Sequence, residues 1–331
     1  MRVLVTGASG LLGATTARAL AARGDDVTVM QRRPSGLADA GLREVLADLG
    51  DPASAGLVRG AARGQDAVLH LAAKVDVVGP AIDFERANVG GTRAVVDACR
   101  AEGVGRLVQV SSPSVAHAGD ALVGVGAGPA DPASARGHYA RTKAVSELLA
   151  LDADSATTGL AVLAVRPHLV WGPGDTQLVA RLVERARAGR LPVLGAGTAL
   201  IDTTYVDDAA DALVAAVDAC GVSARGEALV VSGGEPRTVA EILTRVCRAA
   251  GLPAPRLRLP VPVARAAGAV VDGVWAATRR TDTPPLTRFL VEQLTTAHWF
   301  DQRRTRELLA WTPAVGLDEG FRRLAASYGT T

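Results

Sequence analysis

The chain has 331 residues, 48% of them hydrophobic and 21% charged, which is enough to form a large buried core. A net charge of +2 and an aromatic content of 3% argue against a nucleic-acid partner. The widely spaced cysteines and the five histidines lack ligand spacing, so no disulfide framework and no metal site are expected. Because the N-terminus has no signal-peptide pattern, we expect a cytoplasmic protein.

Short apolar runs alternate with longer helical patterns over the first two-thirds of the chain. Fully apolar strands between helices predict an α/β fold, a doubly wound parallel sheet (Rossmann) covered on both faces. The strand-like runs are Val3–Val5, Val27–Met30, Glu44–Leu46, Ala67–Leu71, Leu107–Val110 and Ala161–Val165. The helical runs are Leu11–Ala22, Phe84–Ala101 and Tyr139–Leu151.

The alternation changes near residue 171. We interpret residues 1–171 as the dinucleotide-binding domain and 172–331 as a smaller, mainly helical substrate lobe, with 203–220 returning to the first domain and a further strand near Ala228–Val231. Residues 261–278 contain Arg265 and Asp272, so they predict an amphipathic helix, not a membrane span. This helix could cover an apolar substrate, touch a membrane surface or simply pack. Its apolar side comprises Val263, Ala267, Val270, Val271, Val274 and Trp275.

A glycine loop follows the first strand directly, reading Thr6-Gly7-Ala8-Ser9-Gly10-Leu11-Leu12-Gly13. Gly7 suits the tight turn, Gly10 the close approach of a pyrophosphate, and Gly13 the close packing of helix on strand. The N–H groups at the start of the helix favour a phosphate. We therefore predict a dinucleotide site formed by this loop, including Ser9, Leu11 and Leu12.

The end of the second strand carries Gln31-Arg32-Arg33 and no acidic residue. A guanidinium pairs with a 2′-phosphate, so NADP(H) is predicted as the preferred cofactor, with Arg32 as the first phosphate ligand and Arg33 as the second. If both arginines are only solvated, NAD(H) is accepted as well. Asp48, at the end of the third strand, either accepts from the adenine amino group or caps the following turn.

Tyr139 and Lys143 form a YxxxK pair, which places both side chains on one helix face. A nearby ammonium is expected to lower the pKa of the Tyr139 phenol. The fifth strand ends in a serine-rich loop, and a hydroxyl there would hydrogen-bond a substrate carbonyl. Ser112 is the first choice for this role, with Ser111 and Ser114 as competitors.

Together these motifs resemble the extended short-chain dehydrogenase/reductases. The similarity also includes His70-Leu71-Ala72-Ala73, Asn88-Val89-Gly90-Gly91-Thr92, Arg166-Pro167, Trp171-Gly172-Pro173-Gly174 and Tyr205-Val206-Asp207-Asp208-Ala209. The resemblance implies catalysis by Ser112, Tyr139 and Lys143, with Asn88 supporting the active-site backbone. It also implies cofactor contacts from Leu49, Leu71, Ala72, Ala73, Lys74, Pro167 and Leu169.

Within this family the chain is similar to the 3β-hydroxysteroid dehydrogenase branch, and there to bacterial olefin-biosynthesis reductases of 2-alkyl-3-oxoalkanoates. Residues 199–205 lack the arginine with which many relatives grip a sugar diphosphate. The resemblance thus implies NADPH-dependent reduction of a ketone on a largely apolar substrate. One departure is Ser112, where those reductases tend to have threonine. A 3β-hydroxysteroid dehydrogenase, a nucleotide-sugar epimerase or dehydratase, and a non-catalytic NADP(H) sensor are the alternatives.

A 3-oxo acid also needs a group that meets its carboxylate, for which Arg181, His168 and Arg288 are candidates. The resemblance further implies a homodimer formed through the helices that contain Asn88 and Tyr139. The full set of candidate substrate residues is Ser114, His168, Trp171, Arg181, Tyr205 and Arg288.

Overall fold

The computed structural model describes residues 1–76, 78–117, 119–278 and 284–329. The strands are β1 Arg2–Thr6, β2 Asp26–Gln31, β3 Arg43–Leu46, β4 Ala67–His70, β5 Arg106–Val110, β6 Leu122–Val125, β7 Ala161–Pro167, β8 Val170–Trp171, β9 Val193–Leu194, β10 Leu200–Ile201, β11 Thr204–Tyr205, β12 Glu227–Val231, β13 Arg237–Thr238, β14 Arg258–Leu259 and β15 His298–Phe300. The α-helices are α1 Leu11–Ala22, α2 Ala55–Ala62, α3 Ala81–Phe84, α4 Gly91–Glu102, α5 Gly137–Leu151, α6 Val179–Arg187, α7 Val206–Ala219, α8 Val239–Ala249, α9 Val261–Thr278, α10 Arg288–Thr295, α11 Arg303–Leu309 and α12 Leu317–Ser327. A π-helical stretch, Glu85–Gly90, joins α3 to α4, and 3-10 turns cover Pro52–Ser54 and Pro113–Ala116.

Seven strands form the central sheet in the order β12-β7-β5-β4-β1-β2-β3, and all neighbours are parallel. Side chains on both faces are buried: Val3 and Val5 belong to one apolar core and Leu4 to the other. The doubly wound α/β fold predicted from the sequence is therefore confirmed. Connections change direction between β1 and β4, and in such sheets ligands bind beyond the carboxyl ends at that point.

Part of the region after residue 171 packs with the nucleotide-binding half. Helix α7 lies against α1, as the expected return of 203–220 requires. The strand expected near 228–231 is also present, but it extends the central sheet beside β7. Leu309 at the end of α11 shares the core beneath this sheet. Strand β12 is the outermost strand of the sheet. Its apolar residues are buried beneath α11.

A second core fills the C-terminal lobe and packs α6, α8 and α12 together. Beside it lies a four-stranded sheet in the order β13-β10-β15-β6, which the sequence did not predict. Its strands are only two to four residues long, too short for an alternating pattern to identify.

The helix expected at 261–278 is present as α9, but the apolar side predicted for it is not the side that is buried. Ala264 and Gly268 are the buried residues, and a Cβ at Gly268 would lie 2.9 Å from the backbone nitrogen of Arg288. Val263, Val270 and Val274 are 51%, 65% and 43% exposed. The close approach to α10 thus uses small residues and leaves larger ones outward. No helix in the described ranges is long and apolar enough to span a membrane.

Candidate active site

The glycine loop between β1 and α1 has the close packing that a dinucleotide site requires. Gly7 has a φ of +77°, and a Cβ there would lie 2.6 Å from the nitrogen of Ala72. At Gly13 a Cβ would lie 2.4 Å from the Gly7 carbonyl oxygen. A Cβ at Gly10 would meet only that same oxygen, at 3.6 Å. The loop is therefore locked against the end of β4 and stays open at Gly10, where a pyrophosphate would approach.

A cavity of about 240 Å³ lies over this loop. Its size and glycine-lined floor fit part of a dinucleotide. Ten of the cofactor residues expected from the sequence line it: Gly7, Ser9, Gly10, Arg32, Asp48, Leu49, Leu71, Ala72, Ala73 and Lys74. Leu11, Leu12, Gly13 and Arg33 are not part of its described wall. Leu12 packs into the nucleotide-binding core and Leu11 against the C-terminal core, so both support the loop from behind.

The second-strand residues differ in where they lie. Arg32 is exposed on the cavity wall, whereas Arg33 is exposed elsewhere. Gln31 donates through Nε2 to Glu44. Asp48 lies on the wall, and its Oδ1 accepts from the backbone nitrogen of Gly50 at 2.9 Å. Turn capping, one of the two roles expected for Asp48, is thus present.

Ser112 stands at the end of β5, where it begins the short 3-10 turn. Its Oγ accepts from the Ser114 backbone nitrogen at 3.3 Å and from Ser114 Oγ at 3.0 Å. The Ser112 hydroxyl is also near enough to the phenol of Tyr139 to affect its pKa. Ser112, Ser114 and Tyr139 line one cavity together, whereas the buried Ser111 does not line it. Of the three candidate serines, Ser112 is the one that affects the pKa of the tyrosine.

The pKa of Tyr139 differs from the sequence expectation. Burial raises it, and the nearby Ser112 hydroxyl only partly opposes this effect. The ammonium expected to lower it is directed elsewhere, because Lys143 Nζ donates to the carbonyl of Val110 at 2.6 Å. Tyr139 therefore keeps its proton at neutral pH, as a proton donor must.

Lys143 is only 3% exposed, and burial lowers its pKa to about 8, while the carboxylate of Glu147 opposes that shift. Glu147 lies one helical turn further along α5. Its carboxylate accepts from Arg166 Nε at 2.8 Å and from Nη2 at 2.5 Å. The side chains of Glu147 and Arg166 are each 1% exposed, so they form a buried ion pair one helical turn from Lys143.

Asn88 lies in the π-helical stretch and joins both halves of the site. Its Oδ1 accepts from the backbone nitrogen of Lys74 at 2.7 Å, and its Nδ2 donates to the Lys74 carbonyl and to Thr142 Oγ1 at 3.2 and 2.9 Å. Lys74 lines the loop cavity, and Thr142 precedes Lys143 on α5. Asn88 thereby links the two elements, and the supporting role that the family resemblance implies for it stays a prediction.

The segment after Arg166 contains a strained residue. Leu169 has a φ of 42°, one of two non-glycine residues with positive φ in the described ranges. Such backbone strain concentrates at functional sites. Leu169 lines the cavity that holds Tyr139, while Pro167 closes β7 and lies on neither cavity wall.

That second cavity has a volume of about 320 Å³ and is mainly apolar. Val75 belongs to its wall and to the wall of the loop cavity, so the two are adjacent. Arg136 is the only Lys or Arg among its described lining residues, and its Nη1 donates to Glu292. The apolar wall comprises Leu122, Leu178, Val179, Leu182, Ile201, Val239, Ile242, Leu243, Val246, Phe289, Leu290, Leu294 and Phe321.

Only some of the expected substrate residues reach this cavity. Ser114, His168 and Trp171 line it. Arg181, Tyr205 and Arg288 are not among its described lining residues. The α6 residues on the wall are Leu178, Val179 and Leu182, and Arg181 lies off that face. Tyr205 packs edge-on against Trp171, with ring centroids 5.5 Å apart, and Arg288 is exposed where α10 begins.

Sequence reasoning missed several wall residues that the fold brings together. His117 and His298 come from a loop after β5 and from β15. The helical spacing of Val239, Ile242, Leu243 and Val246 was a signal for an apolar face on α8, but the same spacing fits an ordinary core helix.

Comparisons with known proteins agree with this geometry. Residues 3–232 match the NAD dependent epimerase/dehydratase family. A 2-alkyl-3-oxoalkanoate reductase of Stenotrophomonas maltophilia is 41% identical, with 99% of each chain covered. A protein of the same name from Shewanella oneidensis is 35% identical over 98% of this chain and 85% of its own. The solved structure of MoeE5 in complex with UDP-glucose and NAD has a TM-score of 0.72 at 27% identity, covering 99% of this chain and 98% of that one.

Proposed function

The chain belongs to the NAD dependent epimerase/dehydratase family, within the extended short-chain dehydrogenase/reductases, and we propose that it reduces the ketone of a 2-alkyl-3-oxoalkanoate to the 3-hydroxy acid with NADPH. Its relatives at 41% and 35% identity carry the name of that reaction. The family's cofactor is a nicotinamide dinucleotide, and the glycine loop fits one. The preference for NADP(H) and the substrate are the proposed parts.

One observation carries the proposal: Ser112 and Tyr139 lie together on the wall of an apolar cavity that adjoins the cavity of the glycine loop. A ketone oxygen placed between these two hydroxyls would receive two hydrogen bonds. The apolar wall beyond them suits alkyl chains, because burying them stabilises the complex in proportion to their area.

Ser112, Tyr139 and Lys143 have separate roles in this reaction. Ser112 donates to the ketone oxygen and stabilises the charge that grows there. Tyr139 donates its proton to that oxygen, and its raised pKa keeps the proton available at neutral pH. Lys143 lies one helical turn from the tyrosine, and its Nζ is held by the Val110 carbonyl. When bound, the reduced dinucleotide supplies a hydride to the ketone carbon.

The cavity wall argues against a nucleotide sugar. A diphosphate needs cations or free backbone donors. Arg136, the only Lys or Arg among the described wall residues, already pairs with Glu292. This agrees with the absence of an arginine in residues 199–205. A 3-oxosteroid would also suit apolar walls, so it is the second substrate class to test.

An NADPH-consumption assay over three substrate classes tests the proposal. We expect purified enzyme to oxidise NADPH with long-chain 2-alkyl-3-oxo acids, and to do so far more slowly with 3-oxosteroids or nucleotide sugars. Mass spectrometry should identify the 3-hydroxy acid. Consumption only with a 3-oxosteroid would assign the steroid reaction instead, and conversion of a nucleotide sugar without net NADPH use would indicate an epimerase.

The cofactor preference is expected to depend on Arg32. Removing its guanidinium takes away a charged hydrogen-bond donor to a 2′-phosphate, a loss of roughly 10- to 100-fold in affinity. We therefore expect Arg32→Ala to raise KM for NADPH by that factor and to leave KM for NADH nearly unchanged. Arg33→Ala removes the second predicted phosphate ligand, which does not line the cavity, and should raise KM for NADPH less than Arg32→Ala does. An unchanged NADPH preference in Arg32→Ala would contradict the assignment.

Two sequence-based predictions about larger partners depend on exposed apolar residues. Dimerisation through the helices containing Asn88 and Tyr139 stays a prediction; Leu148 on α5 is 43% exposed and would be covered by such a contact. Contact with a membrane surface stays a prediction as well, and it would use the outward valines of α9. A cytoplasmic location is part of the same proposal.

A further inference from the structure

Three buried histidines lie together in the wall of the substrate cavity. His117, His168 and His298 are 4%, 6% and 2% exposed. The rings of His117 and His298 meet edge to face with centroids 4.8 Å apart, and those of His168 and His298 are 6.0 Å apart. They come from three distant segments of the chain, so only the fold assembles them.

Two of these rings have buried nitrogens without a partner. By hydrogen-bond geometry Nδ1 and Nε2 of His117 have no partner, although the Asp120 backbone is near enough to raise the pKa of this ring, and Nδ1 of His298 has no partner either. His298 Nε2 faces Thr296 Oγ1 at 3.1 Å. His168 differs, because its Nδ1 donates to the Asp202 carbonyl at 2.6 Å. A buried polar atom without a partner is unfavourable, so a group of them in one cavity marks a place where a ligand supplies the missing bonds.

We propose that His117 and His298 form a carboxylate-binding site, which selects the acid form of the substrate and positions its ketone at Ser112 and Tyr139. This inference rests on the proposed function, because it assigns the group that recognises the acid end of a 3-oxo acid. It replaces Arg181 and Arg288, which do not reach the described wall, and it extends the sequence-based choice of His168 to its two neighbours.

The missing partner of the rings is a hydrogen-bond acceptor, and the charged groups near His117, one guanidinium and two carboxylates, do not themselves attract an anion. Arg136 and Glu292 face His117 as an ion pair, and Asp120 is also near it, while His298 faces only His117 among the groups that shift its pKa. Burial lowers the pKa of His298 to about 4 and that of His168 to about 3, and it lowers the pKa of His117 as well. Without a ligand the rings are thus neutral, and each still offers an N–H donor. In the described ranges, no group of His, Cys, Asp or Glu is arranged to hold a metal ion.

The position of His117 also explains how recognition and catalysis would be coupled. His117 closes the segment that begins with Ser112, only five residues earlier, with the 3-10 turn Pro113–Ala116 between them. A carboxylate held by His117 would therefore be held relative to the Ser112 hydroxyl. In a 3-oxo acid the carboxyl and ketone carbons are separated by one carbon, so fixing one restricts the other.

A comparison of acid and ester substrates tests the site. The wild-type holoenzyme with NADPH is assayed on a 2-alkyl-3-oxo acid and on its methyl ester, which keeps the ketone and both chains but carries no charge. The measured quantity is the ratio of kcat/KM for the acid to kcat/KM for the ester. We expect His117→Phe and His298→Phe to lower this ratio by about 10- to 100-fold, the range for losing a hydrogen bond to a charged group. His117→Gln keeps an N–H donor and should lose less.

The controls separate the possible failures. His138→Phe makes the same substitution at an exposed histidine of this cavity and should leave the ratio unchanged. A variant that still reduces the ester is folded. If both Phe variants are inactive with the ester, the acid-to-ester ratio is measured in His117→Gln and His298→Gln instead. An unchanged ratio in the variants at 117 and 298 would overturn the carboxylate site alone. If the wild type reduces neither the acid nor the ester, the proposed function and this inference are both wrong.

Discussion

We expect Tyr139→Phe to lower kcat for ketone reduction by about 10²–10⁴-fold, the range for removing a positioned proton donor, and to leave the affinity for the dinucleotide nearly unchanged. The phenylalanine ring has the shape of the tyrosine ring, so the cavity wall keeps its packing. What disappears is the hydroxyl of a residue that lines the substrate cavity together with Ser112.

The geometry explains why this hydroxyl has no replacement. Ser112 can still hydrogen-bond the ketone oxygen, but a serine hydroxyl does not carry a proton that it readily gives up. Lys143 is held by the Val110 carbonyl at 2.6 Å and does not line the substrate cavity. The proton would then have to come from water, which an apolar cavity largely excludes.

The loss of kcat is measured as turnover at saturating substrate and cofactor. The affinity for the dinucleotide is measured by a fluorescence titration. Tyr205→Phe is the matched control, because it makes the same substitution at a buried tyrosine that packs behind Trp171. Turnover in Tyr139→Phe within a few-fold of wild type would show that another group donates the proton.

The central sheet and the cofactor loop could be predicted from the sequence because each depends on a local pattern. Strand β7 begins with a continuous apolar run, Ala161–Val165, and the glycines are required by contacts within a few residues, apart from the Gly7 approach to Ala72. The YxxxK spacing likewise fixes the shared face of Tyr139 and Lys143 through helix geometry alone.

The remaining parts of the site depend on tertiary distances that no local pattern records. A nearby ammonium was expected to lower the Tyr139 pKa, yet the fold turns Lys143 toward Val110, and burial becomes the larger effect. The histidine pair unites residues 117 and 298, which lie 181 positions apart (298 − 117 = 181). Arg181, His168 and Arg288 were the candidates for binding an acid; His168 lies on the described cavity wall, whereas the two arginines do not.

Glu147→Leu is expected to lower the free energy of unfolding by about 3–5 kcal/mol, because it leaves Arg166 buried without its charge partner. The guanidinium would retain a hydrogen bond to the Ala127 carbonyl but lose both bonds to the carboxylate. Denaturant unfolding monitored by tryptophan fluorescence measures this change. Arg303→Ala, which breaks an exposed pair with Asp301, is the control and should leave the unfolding midpoint unchanged.

The same variant should also shift the pH dependence of activity. Lys143 has a pKa of about 8, and it loses its charge as the pH rises through that value. The carboxylate of Glu147 raises this pKa, so its removal lowers the pKa further. We expect the decline of kcat on the basic side to begin at a lower pH in Glu147→Leu than in the wild type. A purely structural role for Glu147 would lower stability without moving this limb.

A double variant separates loss of the pair from loss of either residue. Glu147→Leu/Arg166→Met replaces both charges with apolar side chains, and such a change at a buried pair is often neutral or stabilising. Most of the stability lost in Glu147→Leu should therefore return. If the double variant is as unstable as the single one, the cost lies in packing around α5 and β7 and not in an uncompensated charge. If stability recovers but kcat still declines at a lower pH than in the wild type, the fold does not require the Glu147–Arg166 pair. The pair would then serve to maintain the charge of Lys143.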